Sequence, residues 1–193
     1  LVTGAKAFLG AATATTAGLF TLKLAATAIR EQGIASLAVR SVIATAAVFT
    51  FFEVLPHHPV GVSEVHLILG STLFLLFGAG PTAIGLALGL LVQGVFFAPL
   101  DLPQYGMNVT TLIVPLVAMA ALARRIVPAG TPYVELGYGQ ALKLSTAYQG
   151  GIVAWVASWA LYGHGFGIAN LQQVASFGAA YMLVIVVEPL VDL

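Results

Sequence analysis

Long apolar stretches, separated by short breaks of proline, glycine or charged residues, run through almost the whole chain. A membrane-spanning helix needs roughly 20 mostly apolar residues, and fewer when it lies inside a bundle. Only 7% of the residues are charged, against roughly 25% in an ordinary soluble domain, so too few charged side chains are present to cover a water-exposed surface. The pattern therefore predicts an integral membrane protein whose outer surface contacts the lipid bilayer.

Seven apolar stretches predict an all-α, polytopic membrane bundle of about seven transmembrane helices. Their predicted ranges are about 4–29, 34–55, 66–78, 82–98, 107–127, 138–162 and 171–190. Prolines set several boundaries, because the residue before a proline resists helical geometry, and the proline-rich stretch 99–106 is predicted to be a non-helical linker. Residues 1–193 are predicted to form a single transmembrane domain.

Basic residues concentrate on one side of this seven-helix arrangement, and Lys6 falls on the other side. The basic side carries or lies close to Lys23, Arg30, Arg40, Arg124, Arg125 and Lys143. Because cytoplasmic loops are enriched in lysine and arginine, the N-terminus is predicted to lie outside. The same helix count places all four histidines and Asp101 on the external face.

Most of the candidate chemistry lies in residues 51–70, FFEVLPHHPVGVSEVHLILG. Imidazole nitrogen is a good ligand for nickel, cobalt, copper and zinc. A proline–glycine turn separates His58 from His66, so the two can converge, and His57 and Glu64 lie beside them. External loops also tolerate single histidines with no special role. The concentration of histidines here favours a metal-binding loop over that alternative.

Other kinds of site are not indicated by the sequence. There is no cysteine, no P-loop and no nucleophile–base motif, so neither an enzyme nor an ATPase acting alone is predicted, and no organic cofactor is implied. Seven basic residues balance seven acidic ones, so no nucleic-acid partner is expected. Ionisable residues inside membrane spans are candidates for function, and Arg40, Glu53 and Glu188 qualify, although near helix ends they can equally pair or reach the interface.

Small residues recur every four positions along the first helix, at Gly10, Ala14 and Gly18. Such a stripe lets two helices approach closely in a membrane. The stripe either packs inside the bundle or docks a separate membrane subunit, and the sequence leaves both alternatives open.

Three motifs occur in order within residues 51–121: HPVG followed by SEVHL, then QGVFF at Gln93–Phe97, then GMN at Gly106–Asn108. This series resembles the NikM/CbiM family, the substrate-capture membrane subunits of energy-coupling-factor transporters for nickel and cobalt. The resemblance implies a seven-helix bundle in the bacterial inner membrane that captures Ni²⁺ or Co²⁺ outside for import. It also implies two kinds of partner, a transmembrane coupling subunit and cytoplasmic ATPase subunits.

The resemblance further implies roles for individual residues. In the family, nitrogens in a near-square-planar set hold the metal, and they come from the protein's N-terminus and from a loop histidine that corresponds best to His66. His58 and His57 are the further candidate metal residues. Four residues are expected to fix the loops or orient the ligands: Ser63, Glu64, Asp101 and Asn108. Phe96 and Phe97 are expected to pack under the pocket.

A second hypothesis comes from the differences between this chain and the family pattern. The loop reads GVSEVH where the family usually has Gly-Thr-Ser-x-His, and FFAPLDLPQYGMN replaces a stretch rich in histidine and glycine. These differences keep open a structural or accessory membrane subunit, built on a transporter-like bundle within a larger complex.

Overall fold

The computed structural model describes residues 4–192, and it is an all-α bundle with one small β-hairpin. Seven α-helices follow the chain: α1 Gly4–Gln32, α2 Ile34–Phe49, α3 Gly70–Phe77, α4 Ala79–Phe96, α5 Tyr105–Ile126, α6 Tyr138–His164 and α7 Ile168–Val191. A π-helical turn, Thr50–Val54, extends α2, and short 3-10 helices occupy Pro99–Gln104 and Tyr133–Glu135. The hairpin strands are β1, His58–Val60, and β2, Ser63–Val65.

The chain is a multi-pass membrane protein. Five of its helical segments are long and apolar enough to cross a membrane: Gly4–Gln32, Ile34–Val54, Ala79–Phe96, Pro99–Ile126 and Ile168–Val191. With eight residues, α3 is only about 12 Å long, less than half of the roughly 30 Å hydrocarbon core. The third span of the prediction is therefore a half-helix preceded by extended chain.

The structure corrects two predicted helix starts and one predicted linker. The third helix starts at Gly70 rather than His66, because His66 follows directly on strand β2. The fourth starts at Ala79, before Pro81, since a proline in the first helical turn lacks only an N–H that would have no partner there. The prediction of a non-helical linker at 99–106 is wrong, since the 3-10 helix Pro99–Gln104 runs directly into α5.

The two ends of the bundle differ in chemistry. The hairpin, the start of α5 and the end of α6 meet at one end, which carries His66, Asp101 and His164 together with Lys6. The opposite end contains Arg30 in the last turn of α1 and Arg124 and Arg125 in the last turn of α5. The predicted separation of histidines from most basic residues is thus present in the fold.

The small-residue stripe of α1 is divided between two environments. A Cβ on Gly10 would lie 2.9 Å from the Met107 side chain, and one on Gly106 would lie 3.2 Å from the Ala14 Cβ. Gly10 and Ala14 therefore face α5 within the bundle. Gly18 has no neighbour within 4 Å of its Cβ position and is exposed.

Candidate functional site

A two-residue turn, Gly61–Val62, determines which histidines meet at the candidate site. The strands pair with His58 opposite Val65 and Val60 opposite Ser63. Gly61 has φ +62°, as a glycine at the first position of a tight hairpin turn requires. Side chains alternate between the two faces of a strand, so this register places His57 on the side of His66 and His58 on the opposite side.

The His66 ring packs against two other rings. Its centroid is 5.0 Å from that of His57, at an interplanar angle of 24°, and 4.6 Å from that of the buried Phe52. Its Nε2 lies 3.3 Å from Glu64 Oε2, two residues earlier on the same face of the hairpin. The imidazole is therefore fixed by two ring contacts and by a carboxylate at one edge.

Burial, and then the nearby His57, lower the pKa of His66 from 6.5 to about 4. The ring is consequently neutral near pH 7, and a neutral imidazole has one N–H and one nitrogen lone pair. The carboxylate of Glu64 only accepts hydrogen bonds, which favours the tautomer with the proton on Nε2. The other nitrogen, Nδ1, is buried and has no hydrogen-bond partner, so its lone pair is not used in a hydrogen bond.

A cavity of about 740 Å³ opens beside His66 at this end of the bundle. Its hairpin wall includes Ser63 and Glu64, and its helical walls include Gln93 of α4 and Gln173 of α7. The floor is apolar and includes Ile68. About half of the lining residues are polar or charged, so the cavity combines an apolar floor with walls that suit a polar or ionic ligand.

The predicted site residues are distributed unevenly around this cavity. His66, Glu64, Ser63, Asn108 and Asp101 line it. His57 stacks on His66 without lining the cavity, whereas His58 is exposed on the other face of the hairpin. Within residues 4–192, no three His, Cys, Asp or Glu side chains are grouped closely enough to hold a metal ion.

Phe96 and Phe97 do not pack under the pocket. Both are exposed, at 72% and 56%, and Phe97 contacts Phe49 at a ring distance of 5.3 Å. The cavity is instead lined by Gln93 and Gly94 of the same motif. A helix turns about 100° per residue, so Phe96 points away from Gly94, and α4 ends before Phe97 could rejoin that face.

Several residues of the site lay outside the sequence prediction. Lys6, His164 and Gln173 line the cavity, and Phe52 supports the His66 ring. The pairing of His57 with His66, in contrast, had a signal in the sequence. A Gly-x pair, here Gly61–Val62 between Val60 and Ser63, favours a two-residue hairpin turn, and the strand register follows by counting outward from that turn.

Comparison with known proteins identifies one family. The family model CbiM, described as cobalt uptake substrate-specific transmembrane region, matches residues 4–193. No curated protein and no solved structure matches the chain.

Proposed function

The chain belongs to the CbiM family of cobalt uptake substrate-specific transmembrane regions, and we propose on that premise that it captures Co²⁺ or Ni²⁺ from the external side of the membrane. The family is a transport component rather than an enzyme and works with other transporter subunits. The metal ion is thus the substrate of the protein, and the cavity beside His66 is its proposed place of capture.

The observation that carries the proposal is the buried Nδ1 of His66, which has no hydrogen-bond partner. Ten other buried side-chain atoms of the described residues also lack a partner, but His66 Nδ1 is the one imidazole nitrogen among them, and an unpaired buried polar atom calls for an explanation. Imidazole nitrogen is a common ligand of nickel and cobalt. The Glu64 carboxylate beside Nε2 would fix the ring and strengthen its donor nitrogen, as carboxylates do for metal-bound histidines.

His66 supplies one donor, and His57 is the second candidate because its ring stacks on that of His66. The remaining donors expected from the resemblance belong to the family's N-terminus, outside the described residues. Asn108 and Asp101 at the cavity wall are proposed to orient the bound ion or its ligands.

The proposed orientation places the histidine end of the bundle outside. The arginines at the opposite end are the feature that supports it, because lysine and arginine favour the cytoplasmic side. We propose the bacterial inner membrane as the location. The proposed partners are a coupling membrane subunit and cytoplasmic ATPases of an energy-coupling-factor transporter, since no P-loop is present in the sequence.

The test is the metal content of the full-length protein, purified without chelator beside His66→Ala and His58→Ala. About one cobalt or nickel ion per chain is expected in the wild type, where fixed nitrogen donors select the metal. His66→Ala should lose the ion. His58→Ala is the matched control, because it removes a neighbouring imidazole that the hairpin directs away from His66, and it should retain the ion.

Two results would contradict the proposal. A full-length wild type without bound metal would favour the accessory-subunit hypothesis instead. Equal loss in the His58→Ala and His66→Ala variants would show that the hairpin register does not define the site.

A further inference from the structure

Glu188, near the end of α7, is fully buried in the bundle and accepts hydrogen bonds from four groups. Ser71 N and Thr72 N lie 2.8 and 3.3 Å from its Oε1. Ser145 Oγ and Gln149 Nε2 lie 2.7 and 2.9 Å from its Oε2. An ionisable residue inside a membrane bundle is costly and marks function by default, yet Glu188 is not among the lining residues of the cavity.

Two of the four donors belong to the first turn of α3. The first N–H groups of a helix have no partner within the helix, and negative charge is favourable at that end. Glu188 therefore holds the start of the half-helix in place. The far end of α3 has the complementary arrangement, because Arg40 Nη1 donates to the carbonyl of Phe77 at 2.6 Å.

Gln149 connects this carboxylate to the floor of the cavity. Its Nε2 also donates to the carbonyl of Ile68 at 2.6 Å, and Gln149 is fully buried. The Ile68 carbonyl and the Glu188 carboxylate both accept hydrogen bonds, so the Gln149 amide must point its nitrogen, and not its oxygen, toward them. Ile68 N in turn donates to the carbonyl of His66 at 2.9 Å. A continuous series of hydrogen bonds thus runs from Glu188 through Gln149 and Ile68 to the backbone of His66.

We propose that Glu188 is a positioning residue of the metal site, holding the extended segment 66–69 at the depth where the His66 ring meets the cavity. The role of Glu188 toward the metal rests on the proposed function, whereas its hold on segment 66–69 does not. Extended chain inside a membrane bundle has no helical hydrogen bonds, so its polar groups need protein partners. Gln149 and Glu188 supply such partners on either side of the step into α3.

The near-isosteric change Glu188→Gln breaks either this series or the contacts with α3, depending on which way the new amide turns. If its nitrogen faces Gln149, two donors meet, and Gln149 must rotate and lose Ile68. If its nitrogen faces α3 instead, it meets the N–H groups of Ser71 and Thr72. A purely volume-filling role for Glu188 would tolerate the substitution.

The first experiment needs no metal. Hydrogen exchange of residues 66–73 is measured in the metal-free protein for the wild type, Glu188→Gln and Gln149→Met. Exchange should be about tenfold faster in both variants, the effect of losing roughly one buried hydrogen bond. Gln149→Met leaves Glu188 on α3 and serves if Glu188→Gln does not fold. The control Leu116→Ala destabilises the core of α5 without touching the series and should not change exchange in this segment selectively.

The second experiment measures Co²⁺ affinity and the visible spectrum of the bound ion. Removing an outer partner of a ligand costs about 10- to 100-fold in affinity, and a displaced His66 should shift the Co²⁺ absorption bands. The proposal would be overturned if Glu188→Gln kept the Co²⁺ affinity, the Co²⁺ spectrum or the hydrogen exchange of the wild type. If the full-length wild type binds no cobalt, the proposed function fails, and the exchange measurement still decides whether Glu188 holds the segment.

Discussion

Gly61 offers the sharpest test of how the hairpin is fixed on the bundle. Its φ of +62° is a conformation that L side chains rarely adopt, and a Cβ added there would overlap the carbonyl oxygen of Gln173 on α7. The same Cβ would lie 3.1 Å from Phe177 N. These neighbours are backbone atoms of a packed helix, so no rotamer change relieves the overlap.

Two glycines of the same chain separate the cost of strain from that of overlap. Gly33 and Gly165 have φ values of +84° and +74°, and nothing lies within 4 Å of their Cβ positions. Their ψ values of +161° and −169° place both in a backbone region essentially limited to glycine, so alanine at either site should cost about 1–3 kcal/mol from backbone strain alone. Gly61→Ala adds an overpacking cost of about 1–3 kcal/mol, so its total should be about 2–6 kcal/mol.

The assay is the free energy of unfolding in mixed micelles for the three alanine variants, followed by Co²⁺ affinity. Gly61→Ala should be the least stable and should bind cobalt more weakly, because moving the hairpin off α7 moves His57 and His66 with it. Gly33→Ala and Gly165→Ala should keep wild-type affinity. Equal stability of all three variants would refute the contact between the turn and α7.

Two further predictions concern ionisable side chains that pack against the bundle, His66 and Arg40. The pKa of His66 is about 4 in the folded protein, against an ordinary value of 6.5. Between these two pH values the unfolded chain is protonated at His66 and the folded chain is not. Stability of the metal-free protein should then fall by about 3 kcal/mol between pH 6.5 and 4, and an unfolding series in which His66→Gln keeps the same pH slope would contradict this. Arg40→Gln should cost about 1–2 kcal/mol, since it removes a charged donor from the end of α3; the exposed Arg30→Gln is the control, and equal losses would refute the cap.

Most of the fold could be predicted from the sequence, because each helix coincides with a long apolar run that a local break ends. α1 ends at Gln32, three residues beyond its predicted end, and the helix from Tyr138 was predicted at its observed start. The failures lie where backbone geometry is irregular. Pro99 was interpreted as a helix breaker. It lies instead in the first turn of the 3-10 helix Pro99–Gln104, where the N–H that a proline lacks would need no partner.

The site could be predicted only in part, because its geometry depends on contacts between residues far apart in the sequence, which no local pattern indicates. His66 and Glu64 were identified from composition and spacing, and both line the cavity. His58 was grouped with them by sequence proximity, although a period of two residues puts adjacent positions on opposite faces. Glu188 was noted as an ionisable residue, but its partners Ser71 and Gln149 are 117 and 39 positions away, so no motif could connect them.

The broken third span explains why the cavity and the buried carboxylate occur together. A continuous helix from His66 would satisfy its own backbone, leaving the imidazole on a helix surface. Starting α3 at Gly70 instead lets the hairpin carry His66 inward, and it leaves the N–H groups of Ser71 and Thr72 without helical partners. Glu188 satisfies those groups, and Gln149 satisfies the carbonyl of Ile68 one step nearer the cavity. The polar groups inside the bundle are thus the structural consequence of carrying a histidine inward on the hairpin.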